Sequence, residues 1–71
     1  MNKPTFIQLR EQYHFDAPSL ADWADVDSKT IYNMLMRNPV HRFQAEKVLK
    51  TLSEVTGNDY TLDTVDVVLK D

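Results

Sequence analysis

Ser19-Leu20-Ala21-Asp22-Trp23-Ala24-Asp25-Val26-Asp27-Ser28-Lys29-Thr30-Ile31-Tyr32-Asn33-Met34-Leu35 is the stretch on which the fold turns. Leu20, Ala21 and Ala24 fall on one side of a helix, and Ile31, Met34 and Leu35 do the same one segment later. Spacings of one, three and four residues place such groups on a common face at 3.6 residues per turn. Val26 lies between the two runs. Ala21 and Ala24 carry only methyl groups, which lets two helices cross closely. The stretch therefore predicts two short helices joined by a tight turn.

Two helices joined by a three- or four-residue turn form a helix-turn-helix unit. The run Leu20-Ala21-x-x-Ala24-x-Val26-x-x-x-Thr30-Ile31 resembles the helix-turn-helix of the phage-repressor and Cro family of DNA-binding domains (the xenobiotic-response-element type). With the flanking helices, the resemblance covers roughly residues 5 to 57. Two positions depart from it. Ala17 stands near where the family often carries a phosphate-contacting glutamine. Asp25 takes the turn position that is usually glycine, where the backbone is left-handed; aspartate tolerates that conformation better than most residues.

Outward from this stretch, Thr5 to Tyr13 predicts a first helix, with Thr5 and Gln8 spaced as a capping box. Phe6, Leu9, Arg10 and Tyr13 share its stripe, and Ile7 flanks it. Asp16 or Ser19 can cap the second helix, in which Pro18 is tolerable only in the first turn. Trp23 is expected to pack on the first helix or the C-terminal segment, since tryptophan is usually well buried; a partner-facing position is the alternative. Asp27 suits the N-cap of the third helix. Asn38 suits a left-handed position at its end, and Pro39 blocks continuation. Phe43 to Thr56 predicts a fourth helix with a stripe of Phe43, Val48, Leu49, Leu52 and Val55. Gly57, the sole glycine, closes it.

The remaining residues, 58 to 71, form a tail. Asn58-Asp59 is turn-like, and Thr61 to Thr64 is compatible with one helical turn. Thr64 to Leu69 is rich in β-branched residues and alternates in part, as a strand does. A lone strand needs a partner. Either residues 64 to 69 pair with the same segment of a second copy, making a homodimer, or Tyr60, Leu62, Val65 and Val67 dock on the helical body as an extended arm. The expected fold is thus all-α: a four-helix, repressor-like helix-turn-helix domain over 1–57, with a short extended or β-strand C-terminal tail over 58–71.

Seventy-one residues suffice for one small domain. Without cysteine there is neither a disulfide framework nor a thiolate metal site, and His14 and His41 lie far apart. No cofactor and no small-molecule substrate is expected. Nucleophile, base and stabiliser do not come together in any recognisable constellation, which argues against an enzyme. No apolar run approaches the ~18 residues of a membrane span, and no signal-like segment succeeds Met1-Asn2-Lys3-Pro4, so no membrane partner and a cytoplasmic location are expected.

The net charge is −3, but it is polarised. Between residues 28 and 50, Lys29, Arg37, Arg42, Lys47 and Lys50 stand against Glu46 alone, a local +4. Residues 1–27 sum to −3 and residues 51–71 to −4. The basic block coincides with the third helix and the segment C-terminal to it, and local field counts for more than the total at a phosphate surface. The resemblance implies a sequence-specific transcriptional regulator that inserts the third helix, about 28–36, into the major groove of double-stranded DNA. Its outward residues would be Ser28, Lys29, Tyr32, Asn33 and Met36, with Arg37 at the end. Asn33 can contact adenine in a bidentate manner, Lys29 can reach guanine or phosphate, and Tyr32 can bond a phosphate or pack on a thymine methyl. Arg37, His41, Arg42 and Lys47 are phosphate candidates. The acidic total, the alanine at position 17, and Asp22, Asp25 and Asp27 keep a second expectation in view: a protein-interaction module on the same fold, without DNA binding.

Overall fold

The computed structural model describes residues 3–70, which form four α-helices: α1 (Phe6–Tyr13), α2 (Ala17–Ala24), α3 (Ser28–Leu35) and α4 (Arg42–Thr56). No described helix is long and apolar enough to cross a membrane.

α1, α2 and α3 begin on a side-chain cap, and left-handed residues close the helix ends. At the start of α1, the Gln8 N–H donates to Thr5 Oγ1 at 3.2 Å and the Thr5 N–H donates to Gln8 Oε1 at 2.8 Å, the reciprocal pair of a capping box. Asp16 caps α2 by accepting from the Ser19 N–H at 3.1 Å, with Pro18 in the first turn. Asp27 caps α3 by accepting from the Lys29 N–H at 3.0 Å. α2 ends in a Schellman arrangement: the Val26 N–H reaches the Ala21 carbonyl at 3.0 Å and the Asp25 N–H the Asp22 carbonyl at 3.2 Å. Asp25 is left-handed there, at φ 59°, as its turn position requires. Gly57, at φ 76°, ends α4.

The end of α3 differs from expectation. Arg37, not Asn38, takes the left-handed conformation, at φ 60°. The reason lies one residue further on. A residue preceding proline is pushed toward extended backbone, so Asn38 before Pro39 is a poor place for the turn. The reversal moves back to Arg37, and the Asn38 N–H closes the motif on the Asn33 carbonyl at 2.8 Å.

The core gathers Phe6 and Leu9 of α1, Ala17, Leu20, Ala21 and Ala24 of α2, Ile31 and Met34 of α3, and Ala45, Val48, Leu49 and Leu52 of α4. Phe15, Val40 and Val65 complete it from the connecting segments and the tail. Two expectations about this core fail. Phe43 is 71% exposed and Val55 also faces out, while Ala45 is buried. At ~100° per residue, Phe43 lies roughly 160° around the axis from Ala45, so it belongs to the opposite face. Trp23, expected to pack inside, is 61% exposed on the outer side of α2.

The tail is an arm, not a strand of a sheet. It makes two isolated parallel bridges, Thr5 with Asp66 and Val40 with Leu69. The Asp66 N–H donates to the Pro4 carbonyl at 2.9 Å. The Val40 N–H donates to the Val68 carbonyl, and the Lys70 N–H to the Val40 carbonyl, each at 3.0 Å. Val65 is buried, and Tyr60, Leu62, Val67 and Leu69 pack half-buried on the core. Single extended residues outside the helices thus supply backbone partners to the tail, as in the docked-arm alternative.

Candidate nucleic-acid interface

α3 is anchored through Ile31 and Met34, both buried. On a 3.6-residue helix, Lys29, Tyr32, Asn33 and Met36 then cover about 100° of arc opposite Ile31. Lys29 is exposed, Tyr32 is 47% exposed and Met36 64% exposed, and Asn33 is half-buried. Ser28 is half-buried at the near edge of this arc, and Thr30 at the far edge. The helix carries no acid, so the face offers donors, an amide, a phenol and a thioether without a repelling charge. Asp27 stands at its N-terminus, where the helix dipole favours a carboxylate.

Two contacts hold α3 in place. The Thr30 Oγ1 donates to Gln44 Oε1 of α4 at 2.7 Å. The Lys47 ammonium donates to the Asp25 carbonyl at 2.9 Å, lies 3.8 Å from the Asp25 carboxylate, and sits 5.4 Å from the centre of the Phe43 ring. The phosphate candidate Lys47 thus links the α2–α3 turn to α4, with its side chain 34% exposed. Gln44 is a contact that sequence reasoning misses. Its signal is only a polar residue on α4, which nothing distinguishes from a solvated one until α3 is placed beside it.

The C-terminal side of the face is more varied. The Asn38 Nδ2 donates to Asn33 Oδ1 at 3.4 Å. That bond is long and correspondingly weak. Arg37 is exposed, and its Nη1 donates to Asp66 of the tail at 3.1 Å. His41 is the N-terminal boundary residue of α4 and its side chain makes no capping bond; Arg42 is the next residue, and both are exposed. The expected site residues thus separate into three groups. Lys29, Tyr32, Asn33 and Met36 share one face, with Ser28 at its edge. Arg37, His41 and Arg42 flank the connector after α3, and Lys47 links the α2–α3 turn to α4.

Ala17 is buried and contributes to the core. No family model, no curated protein and no solved structure matches this chain.

Proposed function

We propose that this protein is a sequence-specific DNA-binding transcriptional regulator of the repressor-like helix-turn-helix kind, with α3 entering the major groove. The observation that carries the reading is the acid-free face of Lys29, Tyr32, Asn33 and Met36, turned outward by the burial of Ile31 and Met34. Lys29 and Asn33 are the base-reading groups, and Tyr32 and Met36 supply apolar contact to thymine methyls. Arg42 and His41 take backbone phosphates beyond the end of the helix. One domain covers one half-site. A homodimer would read two half-sites about one helical turn apart, and pairing through residues 64–69 would have to compete with the tail's bonds to Pro4 and Val40.

A second reading rests on a specific observation, the 61% exposure of Trp23 and the 71% exposure of Phe43. Large exposed aromatics suit a protein partner. Salt dependence separates the two. Fluorescence anisotropy on a mixed-sequence duplex is expected to show binding that weakens steeply as salt rises. Lys29→Ala and Arg42→Ala are each expected to weaken it further and to flatten the salt slope by about one counterion. Absence of binding at low salt would overturn the DNA reading and favour a protein partner on the Trp23 side.

A further inference from the structure

Arg37 is held by the protein's own acid, and the geometry of that pair is built rather than incidental. Arg37 is fixed at its backbone: it is the left-handed residue that ends α3, with its N–H on the Met34 carbonyl at 3.3 Å and the next N–H on the Asn33 carbonyl. Asp66 is fixed as well. Its N–H is bonded to the Pro4 carbonyl at 2.9 Å, and its neighbour Val65 is buried in the core. The two side chains meet at 3.1 Å across 29 residues of sequence. Each side chain remains nearly half exposed, 46% for Arg37 and 47% for Asp66. The contact uses one guanidinium nitrogen, so it is not the bidentate fork that makes such pairs strong.

We propose that Asp66 is an intramolecular competitor for DNA phosphate at Arg37, so that the tail sets the affinity of the α3 face. The proposal rests on the DNA-binding reading above. A half-exposed, singly bonded pair is stabilised weakly and exchanges readily with another anion. A phosphate approaching Arg37 must displace the carboxylate or lie beside it, and both cost affinity. The tail's anchoring keeps this acid in position at the end of α3. The arrangement lowers non-specific binding to any polyanion. Anything that lifts the tail from Pro4 and Val40 frees the arginine.

Asp66→Asn tests this in the intact protein, because it removes the charge while keeping the size of the side chain. Duplex affinity at low salt is expected to rise about threefold to tenfold, with a salt slope steeper by about one counterion. Asp63→Asn changes net charge equally without touching Arg37, and is expected to raise affinity less than about twofold at ordinary salt, where distant charges are screened. In an Arg37→Ala background, the advantage of Asp66→Asn over Asp63→Asn is expected to vanish. Equal effects of the two asparagine variants, or an effect that survives Arg37→Ala, would overturn the proposal and leave DNA binding standing. Failure of the wild type and of every variant to bind would overturn both together. Binding by Asp66→Asn alone would support both.

Discussion

Residues 17–35 and the tail of residues 60–70 border the same core, but they are held there in different ways. The α2–α3 half takes its local shape from neighbours in sequence, and Gln44 and Lys47 of α4 bond it from outside. Its caps, its Schellman turn and its apolar spacings all act within about six residues, and Ala21 and Ala24 let the helices cross closely. The tail has no helix or sheet of its own. It is held by buried Val65, by the half-buried Tyr60, Leu62, Val67 and Leu69, by two bridges to extended residues, by the Arg37–Asp66 pair, and by the bonds of Tyr60 to Tyr13 and Ser53. The difference separates what neighbours in sequence specify from what depends on contacts distant in sequence. The bridge from Val40 to Leu69 closes a loop that contains all of α4, and the entropy of closing it opposes the contact.

The largest test of this contrast is a pair of core truncations. Leu20 is fully buried in α2, and Leu20→Ala is expected to cost about 2–5 kcal/mol. A domain of this size holds roughly 4–10 kcal/mol in all, so that variant is expected to lie close to unfolded at ambient temperature. Val65→Ala in the tail removes fewer methyl groups and is expected to cost about 1–3 kcal/mol. Urea unfolding followed by circular dichroism measures both. An unchanged midpoint for Val65→Ala would make the tail an appendage and break the comparison. A lowered midpoint for Val65→Ala within a single transition of the helix signal would sharpen it, because the tail would then unfold with the body.

The tyrosine clasp comes next in size. Asn58 Nδ2 donates to the Tyr13 hydroxyl at 2.7 Å, and that hydroxyl bonds the Tyr60 hydroxyl across rings 6.2 Å apart. Burial and the Tyr13 bond push the Tyr60 phenol up to about 12. The folded state thus favours the neutral phenol. Its contribution is complete below pH 10 and is lost as the pH rises from 10 toward 12. Wild-type stability is expected to fall across that window, and Tyr60→Phe to lose about 1 kcal/mol at about pH 8 and to show a shallower alkaline decline. Denaturation midpoints at about pH 8 and about pH 11 decide it. An equally steep decline in the variant would move the alkaline sensitivity away from the tail.

These contrasts also explain what could be read from residues alone. The four helices, the capping box at Thr5, the caps at Asp16 and Asp27, and the left-handed Asp25 each depend on a few adjacent side chains. The exposed face of α3 is legible as well, once Ile31 and Met34 are recognised as its anchors. Phe43 misleads because its hydrophobicity outweighs its angle on the helix. Asn38 misleads because its fitness for a left-handed turn is cancelled by the proline after it. Trp23 misleads because average burial says little about one outward position on a short helix. The pairs Lys47–Asp25 and Arg37–Asp66 span 22 and 29 residues, and no periodicity encodes a contact of that range. Charge counting places Arg37 and Lys47 in a basic block, yet both are engaged by the protein's own acids.

The smallest effect concerns the turn that joins α2 to α3, where the two kinds of restraint meet. Asp25 adopts φ 59°, a conformation that strains a residue with a Cβ. Its carboxylate is 98% exposed and lies 3.8 Å from Lys47, whereas the shorter bond from Lys47 goes to its backbone carbonyl. Asp25→Gly keeps that carbonyl and removes the strain, at the cost of a more flexible unfolded chain. The balance is expected to favour glycine by about 0.5 kcal/mol, read as a small rise in the urea midpoint with unchanged slope. Loss of stability instead would mean that the Asp25 carboxylate contributes through Lys47. The turn would then be held by a long-range charge as well as by local geometry, in the manner of the tail. In the DNA-binding reading, the same variant removes one negative charge beside the N-terminus of α3. A gain in duplex affinity without a loss of stability would show that the acid there serves neither the fold nor the groove.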